Sequence, residues 1–254
     1  MNQVKFKVQD GKLLYSKNIA GNKLEVRDSA HYRWFTFGGE VVQSLMNKKM
    51  PQQVMMPICQ SMLLCLLWKK APLNILNLGM GAATFERFFS DDPKVKITSV
   101  EKSSEVISIA KNFFELPEHA GTICQCAESY LQHNSTSFDL ILCDVFNNQE
   151  NIACLNQASF YQKLSQGLND DGIISINLDP ENEANLLRVL RLANRYFSNI
   201  TIIEFKDYKN VVLILSASQI PEKQFLIKQN TSEVNTTGID FSEFIVSMHY
   251  LPAN

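Results

Sequence analysis

The sequence predicts an α/β protein in which a Rossmann-like, mostly parallel sheet ends in an antiparallel strand and follows a small N-terminal antiparallel β unit. Three observations carry that expectation. Short segments of alternating polarity, separated by turn signals, fill residues 4–46. From residue 73 onward, strand-like and helix-like segments alternate, as they do when helices cover both faces of a parallel sheet. The last two strands, NITIIEF (199–205) and VVLILSA (211–217), are joined by Lys206-Asp-Tyr-Lys-Asn210, too short for the crossover that parallel neighbours need, so they run antiparallel. With 254 residues, 45% of them hydrophobic and 20% charged, the chain can bury a sizeable core. The expected division is a β unit over 1–50 and the α/β domain over 51–254.

In order, the β unit reads VKFKV, LLYSKNI, KLEVRD, YRWFTF and VVQSLM, punctuated by Asp-Gly, Ala-Gly-Asn and Gly-Gly. Pro57 suits the first turn of a helix, and the apolar run through Trp68 predicts one buried helix over 57–68. The α/β strands are expected at LNILNLG (73–79), VKITSVE (95–101), GTICQC (121–126), FDLILCD (138–144) and GIISINLD (172–179), ahead of the final pair. Helical spacing of Ala184, Leu187, Leu190 and Ala193 predicts a helix over 181–197, and Asp179 is either a second cleft carboxylate or, the favoured reading, the N-cap of that helix. The pattern after Gln219 predicts no definite element. A sheet of this outline is that of the AdoMet-dependent methyltransferase fold, whereas nicotinamide-binding Rossmann domains keep the last strand parallel.

Several function classes are disfavoured by composition. A net charge of -2 lacks the basic excess that phosphate-backbone binding uses, so no nucleic acid partner is expected. The most apolar stretch, Met55 to Trp68, is interrupted by Pro57 and Gln60 and is shorter than the ~20 residues of a membrane span. The first twenty residues hold no continuous apolar run, so a cytoplasmic location without a membrane is expected. Cys59, Cys65, Cys124, Cys126, Cys143 and Cys154 form no C-x-x-C pair and read as small core residues. His31, His119, His133 and His249 show no ligand spacing, and no metal is expected.

The residues suited to chemistry fall at strand ends. Gly79 and Gly81, in Leu76-Asn-Leu-Gly-Met-Gly-Ala83, would let the backbone approach a ligand where the first strand turns into a helix. Twenty residues after Gly81, Glu101 closes the second strand, where a carboxylate can accept hydrogen bonds from ribose hydroxyls. Asp144 ends the fourth strand at the edge where open α/β sheets bind ligands, or else caps a turn; Asp139, at the other end, should face away. Glu128 either reaches the cleft or decorates a helix start, and Tyr130 and Phe146 either stack on a base or belong to the core.

From about Tyr15 to Ala217 the chain resembles the spermidine synthase (polyamine aminopropyltransferase) family. Arg33-Trp-Phe-Thr-Phe-Gly-Gly-Glu-Val-Val-Gln43-Ser is similar to that family's R-x-L-x-L-D-G-x-x-Q-S, and the 57–68 helix stands where the family has its linking helix. Gly79-Met-Gly-Ala-Ala83 occupies the place of G-G-G-D-G, and Val100-Glu101 that of V-E or V-D. Phe138-Asp-Leu-Ile-Leu-Cys-Asp144 resembles F-D-V-I-x-x-D, and Phe160-Tyr-Gln-Lys-Leu with Leu168-Asn-Asp-Asp-Gly172 resembles F-Y-x-x-x followed by L-x-P-G-G.

The resemblance implies transfer of an aminopropyl group from decarboxylated S-adenosylmethionine, as co-substrate, to a small-molecule amine such as putrescine, with release of methylthioadenosine. It implies Asp144 as the amine-binding base, Gly79, Gly81, Glu101, Gln43, Cys126 and Ala127 on the nucleoside, and a homodimer. The chain departs from the family at several points. Ala82 replaces the acidic residue of G-G-G-D-G, Asn147 and Asn148 replace the last two residues of D-x-x-D-P, Cys126 replaces an Asp that contacts adenine, and Ser16 follows Tyr15 where the family has Gln. Two alternatives therefore stay open: a methyltransferase using intact AdoMet, and a nucleoside-binding relative without turnover.

Overall fold

The computed structural model describes residues 8–19, 21–37, 39, 41–147, 150, 151 and 153–251. Strands β1 (Lys12–Ile19), β2 (Asn22–Asp28), β3 (Tyr32–Thr36) and β4 (Val42–Asn47) form an antiparallel sheet in chain order. Most of the expected VKFKV segment lies outside the described residues. The sheet keeps its register at one end through Asp28, which accepts from Arg33 Nε at 2.9 Å and Lys48 Nζ at 2.7 Å. One face of the sheet, with Leu24, Val26, Phe35 and Met46, packs on Ala82, Val106, Ile109 and Phe114. The β unit is thereby seated beside the glycine turn.

The expected helix over 57–68 is instead α1 (Pro57–Met62) followed by a 3-10 turn, Leu64–Leu67. Leu66 N–H bonds to Leu63 O and Trp68 N–H to Cys65 O, both at 3.0 Å. This tighter winding suits a run with no polar face, since Leu64, Cys65, Leu66 and Leu67 are all buried.

The α/β part continues through β5 (Leu73–Leu78), α2 (Thr84–Phe88), β6 (Val95–Glu101), α3 (Ser104–Phe113), β7 (Gly121–Cys124), α4 (Ala127–His133) and β8 (Phe138–Cys143). A two-residue hairpin of β9 (Phe146–Asn147) and β10 (Glu150–Asn151) and a 3-10 turn, Ala153–Asn156, lead to α5 (Ala158–Gln166), β11 (Leu168–Leu178) and α6 (Glu183–Ala193). The chain closes with β12 (Asn199–Glu204), β13 (Val211–Ser216), α7 (Lys223–Thr237), α8 (Ser242–Val246) and β14 (Met248–Tyr250).

The large sheet has the order β14-β12-β13-β11-β8-β5-β6-β7. From β7 to β11 the pairings are parallel. Strand β13 then inserts antiparallel between β11 and β12, as the short 206–210 connection requires. The apolar strands bury both faces: Ile75, Ile97 and Leu142 on one, Leu76, Val100 and Ile141 on the other.

Three further expectations are corrected. Asn182, not Asp179, caps α6: its side chain accepts from Asn185 N–H at 2.9 Å, and Asp179 instead lies 3.7 Å from Lys209 Nζ. The reason is that the two residues after Pro180 stay outside the helix, which shifts the cap toward the C-terminus. The segment after Gln219 is ordered into α7, α8 and β14; Leu226, Phe241, Phe244 and Met248 complete the core at the far edge. Cys124 and Cys126 are exposed because they lie on and just after the edge strand β7, whereas Cys65, Cys143 and Cys154 are buried as expected. Among the described residues no helix is long and apolar enough to cross a membrane.

Candidate active site

At the carboxyl ends of β5, β6 and β8 the chain makes a cleft of ≈ 440 Å³, covered on one side by the N-terminal sheet. Gly79 sits where β5 ends, donating its N–H to Val100 O at 2.9 Å, while Asp144 N–H bonds to Leu78 O at 2.8 Å. These bonds pull β8 so close that a Cβ on Gly79, whose φ is +87°, would lie 2.1 Å from the Asp144 carbonyl oxygen. Glycine is required there by contact as well as by conformation. At Gly81, with φ +54°, a Cβ would meet nothing within 4 Å, so the backbone is open to a ligand's approach.

Glu101 is 9% exposed. Its Oε2 accepts from Gly81 N–H at 3.3 Å and its Oε1 from Ser103 N–H at 2.9 Å, which fixes the carboxylate against the glycine turn. An ionised carboxylate offers about four acceptor positions, more than its backbone donors use, so it can also accept from a ligand hydroxyl. Burial pushes its pKa above the usual carboxylate value, against backbone bonds from Ser103, Gly81 and Lys102 and the Lys102 charge.

Asp144 is the second cleft carboxylate. Its Oδ1 accepts from Asn177 Nδ2 at 2.8 Å, and Asn177 Oδ1 in turn accepts from Asn210 Nδ2 at 2.9 Å. Burial raises its pKa to about 6, the Asn177 bond opposes that shift, and the nearby charge of Glu101 adds to it. A carboxylate with this pKa is poised between holding and releasing a proton near neutrality.

The structure brings Gln43, Gly79, Gly81, Glu101, Cys126, Ala127 and Asp144 to the same cleft. Glu128 lines it too, while standing in the first turn of α4. Tyr130 instead packs against the core and donates to Asn134 Oδ1 at 3.3 Å. Asp139 accepts from Asn74 N–H and Asn169 Nδ2, both at 2.7 Å, at the opposite edge of the sheet. Tyr15 and Lys17 both bond the Glu105 carboxylate and tie β1 to α3. Asn148 lies outside the described residues, as do the side chains of Phe146 and Asn147. No group of three or more His, Cys, Asp or Glu among the described residues is arranged to hold a metal ion.

Sequence reasoning missed Asn177 and Asn210, which orient Asp144, and the buried pair Glu86 and Arg87. Arg87, 2% exposed, donates from Nη1 to Ala82 O at 2.5 Å and Phe114 O at 2.7 Å, and from Nε to Pro51 O at 2.8 Å. It thus joins the glycine turn, the end of α3 and the segment leading to α1. Two adjacent charged residues in a five-residue helix after a glycine turn were the available signal, because α2 is too short to give every side chain water.

Fold and cleft together define an α/β protein of the methyltransferase-like class with a ligand cleft at the carboxyl edge of its sheet. No protein-family model matches the chain. It is 24% identical over 230 residues to the polyamine aminopropyltransferase of Chromobacterium violaceum and 25% identical over 230 residues to that of Neisseria meningitidis, covering 88% of this chain and 88% of each relative. Among solved structures it is similar to a probable spermidine synthase from Corynebacterium glutamicum, with a TM-score of 0.72 and 16% identity over 97% of this chain and 92% of that one. The spermidine synthase from Thermotoga maritima gives 0.67 and 17% over 94% and 84%. Human methyltransferase-like protein 13, solved with SAH, gives 0.60 and 20% over 72% and 90%. Over most of its length the chain is thus similar to proteins named polyamine aminopropyltransferase, at 24–25% identity.

Proposed function

We propose that the protein transfers the aminopropyl group of decarboxylated S-adenosylmethionine to a small-molecule amine, releasing methylthioadenosine. The observation that carries the reading is Asp144, a cleft carboxylate with a pKa of about 6 held by a two-asparagine chain beside the glycine turn. The relatives named polyamine aminopropyltransferase, matched over 88% of both chains, support it.

In this reading Glu101 binds the ribose diol, the Gly79–Gly81 turn meets the nucleoside backbone to backbone, and Cys126 and Ala127 border the base. An incoming ammonium ion gives a proton to the Asp144 carboxylate. The freed nitrogen lone pair bonds to the aminopropyl carbon next to the sulfonium, and the C–S bond breaks with its electron pair going to sulfur, which leaves as a neutral thioether. No bond to the protein forms, so rate comes from in-line placement and proton removal. Cytoplasmic location, a homodimer, and a division of the chain near residue 50 belong to the same proposal.

A second reading has one specific observation in its favour. Ala82 is 2% exposed and packed in an apolar cluster at the cleft wall, which gives the donor's terminal ammonium no counter-charge there and spares the carboxylate of intact AdoMet a repulsion. Methyl transfer from AdoMet would suit that wall. The separating experiment offers the purified protein decarboxylated AdoMet or AdoMet with putrescine, spermidine and cadaverine, and identifies the nucleoside product by mass. Methylthioadenosine formed only when an amine is present supports aminopropyl transfer; S-adenosylhomocysteine supports the second reading.

A further inference from the structure

Glu86 is 1% exposed and has no part in the chemistry above. Its Oε1 accepts from Asn77 Nδ2 at 2.7 Å and from Ser99 Oγ. Asn77 and Ser99 are fully buried and sit directly opposite each other across β5 and β6. Ser99 precedes Glu101 by two residues in β6 and so shares its sheet face, and Asn77 is the second-last residue of β5, two before Gly79. Glu86 Oε2 and Asn77 Oδ1 are buried without a hydrogen-bond partner. A leucine in that place would remove the buried Glu86 carboxylate but leave Asn77 Nδ2 and Ser99 Oγ buried without their acceptor.

We propose that Glu86 is a positioning residue for the nucleoside site, holding the ends of β5 and β6 through Asn77 and Ser99 and thereby setting the distance between the Gly79–Gly81 turn and Glu101. The proposal rests on the nucleoside-binding part of the function proposed above. It predicts that ligand affinity follows the acceptor oxygen at position 86. In full-length Glu86→Leu, which melts below the wild type because two buried donors lose their acceptor, calorimetric titration with methylthioadenosine well below the unfolding temperature shows affinity at least about tenfold weaker. Glu86→Gln, whose amide oxygen can accept the same two bonds, restores affinity to within about threefold of wild type. Ser99→Ala removes one donor and little volume, gives an intermediate loss, and carries the test if Glu86→Leu does not fold. Wild-type affinity in Glu86→Leu, or in Ser99→Ala where that variant stands in, overturns the proposal, as does equal weakening in Glu86→Gln. If the wild-type protein does not bind methylthioadenosine, it is the nucleoside reading that fails. Amide exchange of the ligand-free protein then decides the role of Glu86: faster exchange at Gly79 and Gly81 in Glu86→Leu but not in Glu86→Gln supports it, and unchanged exchange in both refutes it.

Discussion

In the proposed reaction Asp144 carries the proton transfer, and its burial also carries a cost. The folded protein holds its proton up to a pH of about 6, above the ordinary value of 3.8, because burial penalises the charge. Between those two pH values the folded state binds more protons than the unfolded chain, so stability falls as pH rises, by at most about 3 kcal/mol for roughly two pKa units. Asp144→Asn can still accept the Asn177 bond and carries no charge. We expect it to be more stable than wild type above pH 7 by up to about that amount and indistinguishable below pH 4, as measured by urea unfolding across pH. The same variant should keep methylthioadenosine binding nearly intact and lose turnover by orders of magnitude. In the wild type, kcat/KM should rise through pH about 6 as the carboxylate forms, a limb read from initial rates across pH. Unaltered turnover in Asp144→Asn would remove the role given to that residue.

At the scale of elements, the glycine turn between β5 and α2 works because β8 stands so near that Gly79 has no room for a side chain. Gly79→Ala must push the Asp144 backbone away, and we expect loss of nucleoside-induced thermal stabilisation together with a lower melting temperature. Helix α6 depends on Asn182 rather than on the cleft, so Asn182→Ala should cost about 1 kcal/mol in chemical denaturation and leave nucleoside affinity unchanged. The strands were readable because they are long apolar runs ending in Gly79, Glu101 and Asp144, and the antiparallel end because five residues cannot cross a sheet. The 3-10 turn after α1, the cap of α6 and the last three elements were not readable. Their conformations answer to packing: the all-apolar Leu64–Leu67 run offers no periodicity, and α7 and α8 cover an edge that exists only once β12 and β13 have paired. The supporting residues Glu86, Asn177 and Asn210 escaped for a related reason, since a polar residue's burial depends on partners far away in sequence.

The whole molecule combines a cleft built at the edge of a methyltransferase-like sheet with a β unit that closes over it. The union is made by apolar contacts around Ala82 and Phe35, by the Tyr15 and Lys17 bonds to Glu105, and by Arg33 Nη1 donating to Phe113 O at 2.7 Å. Cleft residues from both parts were legible because the motif order runs the same way as in the aminopropyltransferases. The nature of the transferred group was not, because Ala82 removes a charge that motif order alone does not restore. Selective thermal stabilisation by methylthioadenosine over S-adenosylhomocysteine is the expected ligand response of the intact protein. The central claim is tested most directly by mass spectrometry of the nucleoside formed from decarboxylated AdoMet with and without putrescine. The account predicts methylthioadenosine that appears only with the amine and nearly vanishes in Asp144→Asn. Its absence with putrescine, spermidine and cadaverine alike, while a spermidine synthase turns over under the same conditions, would contradict the account.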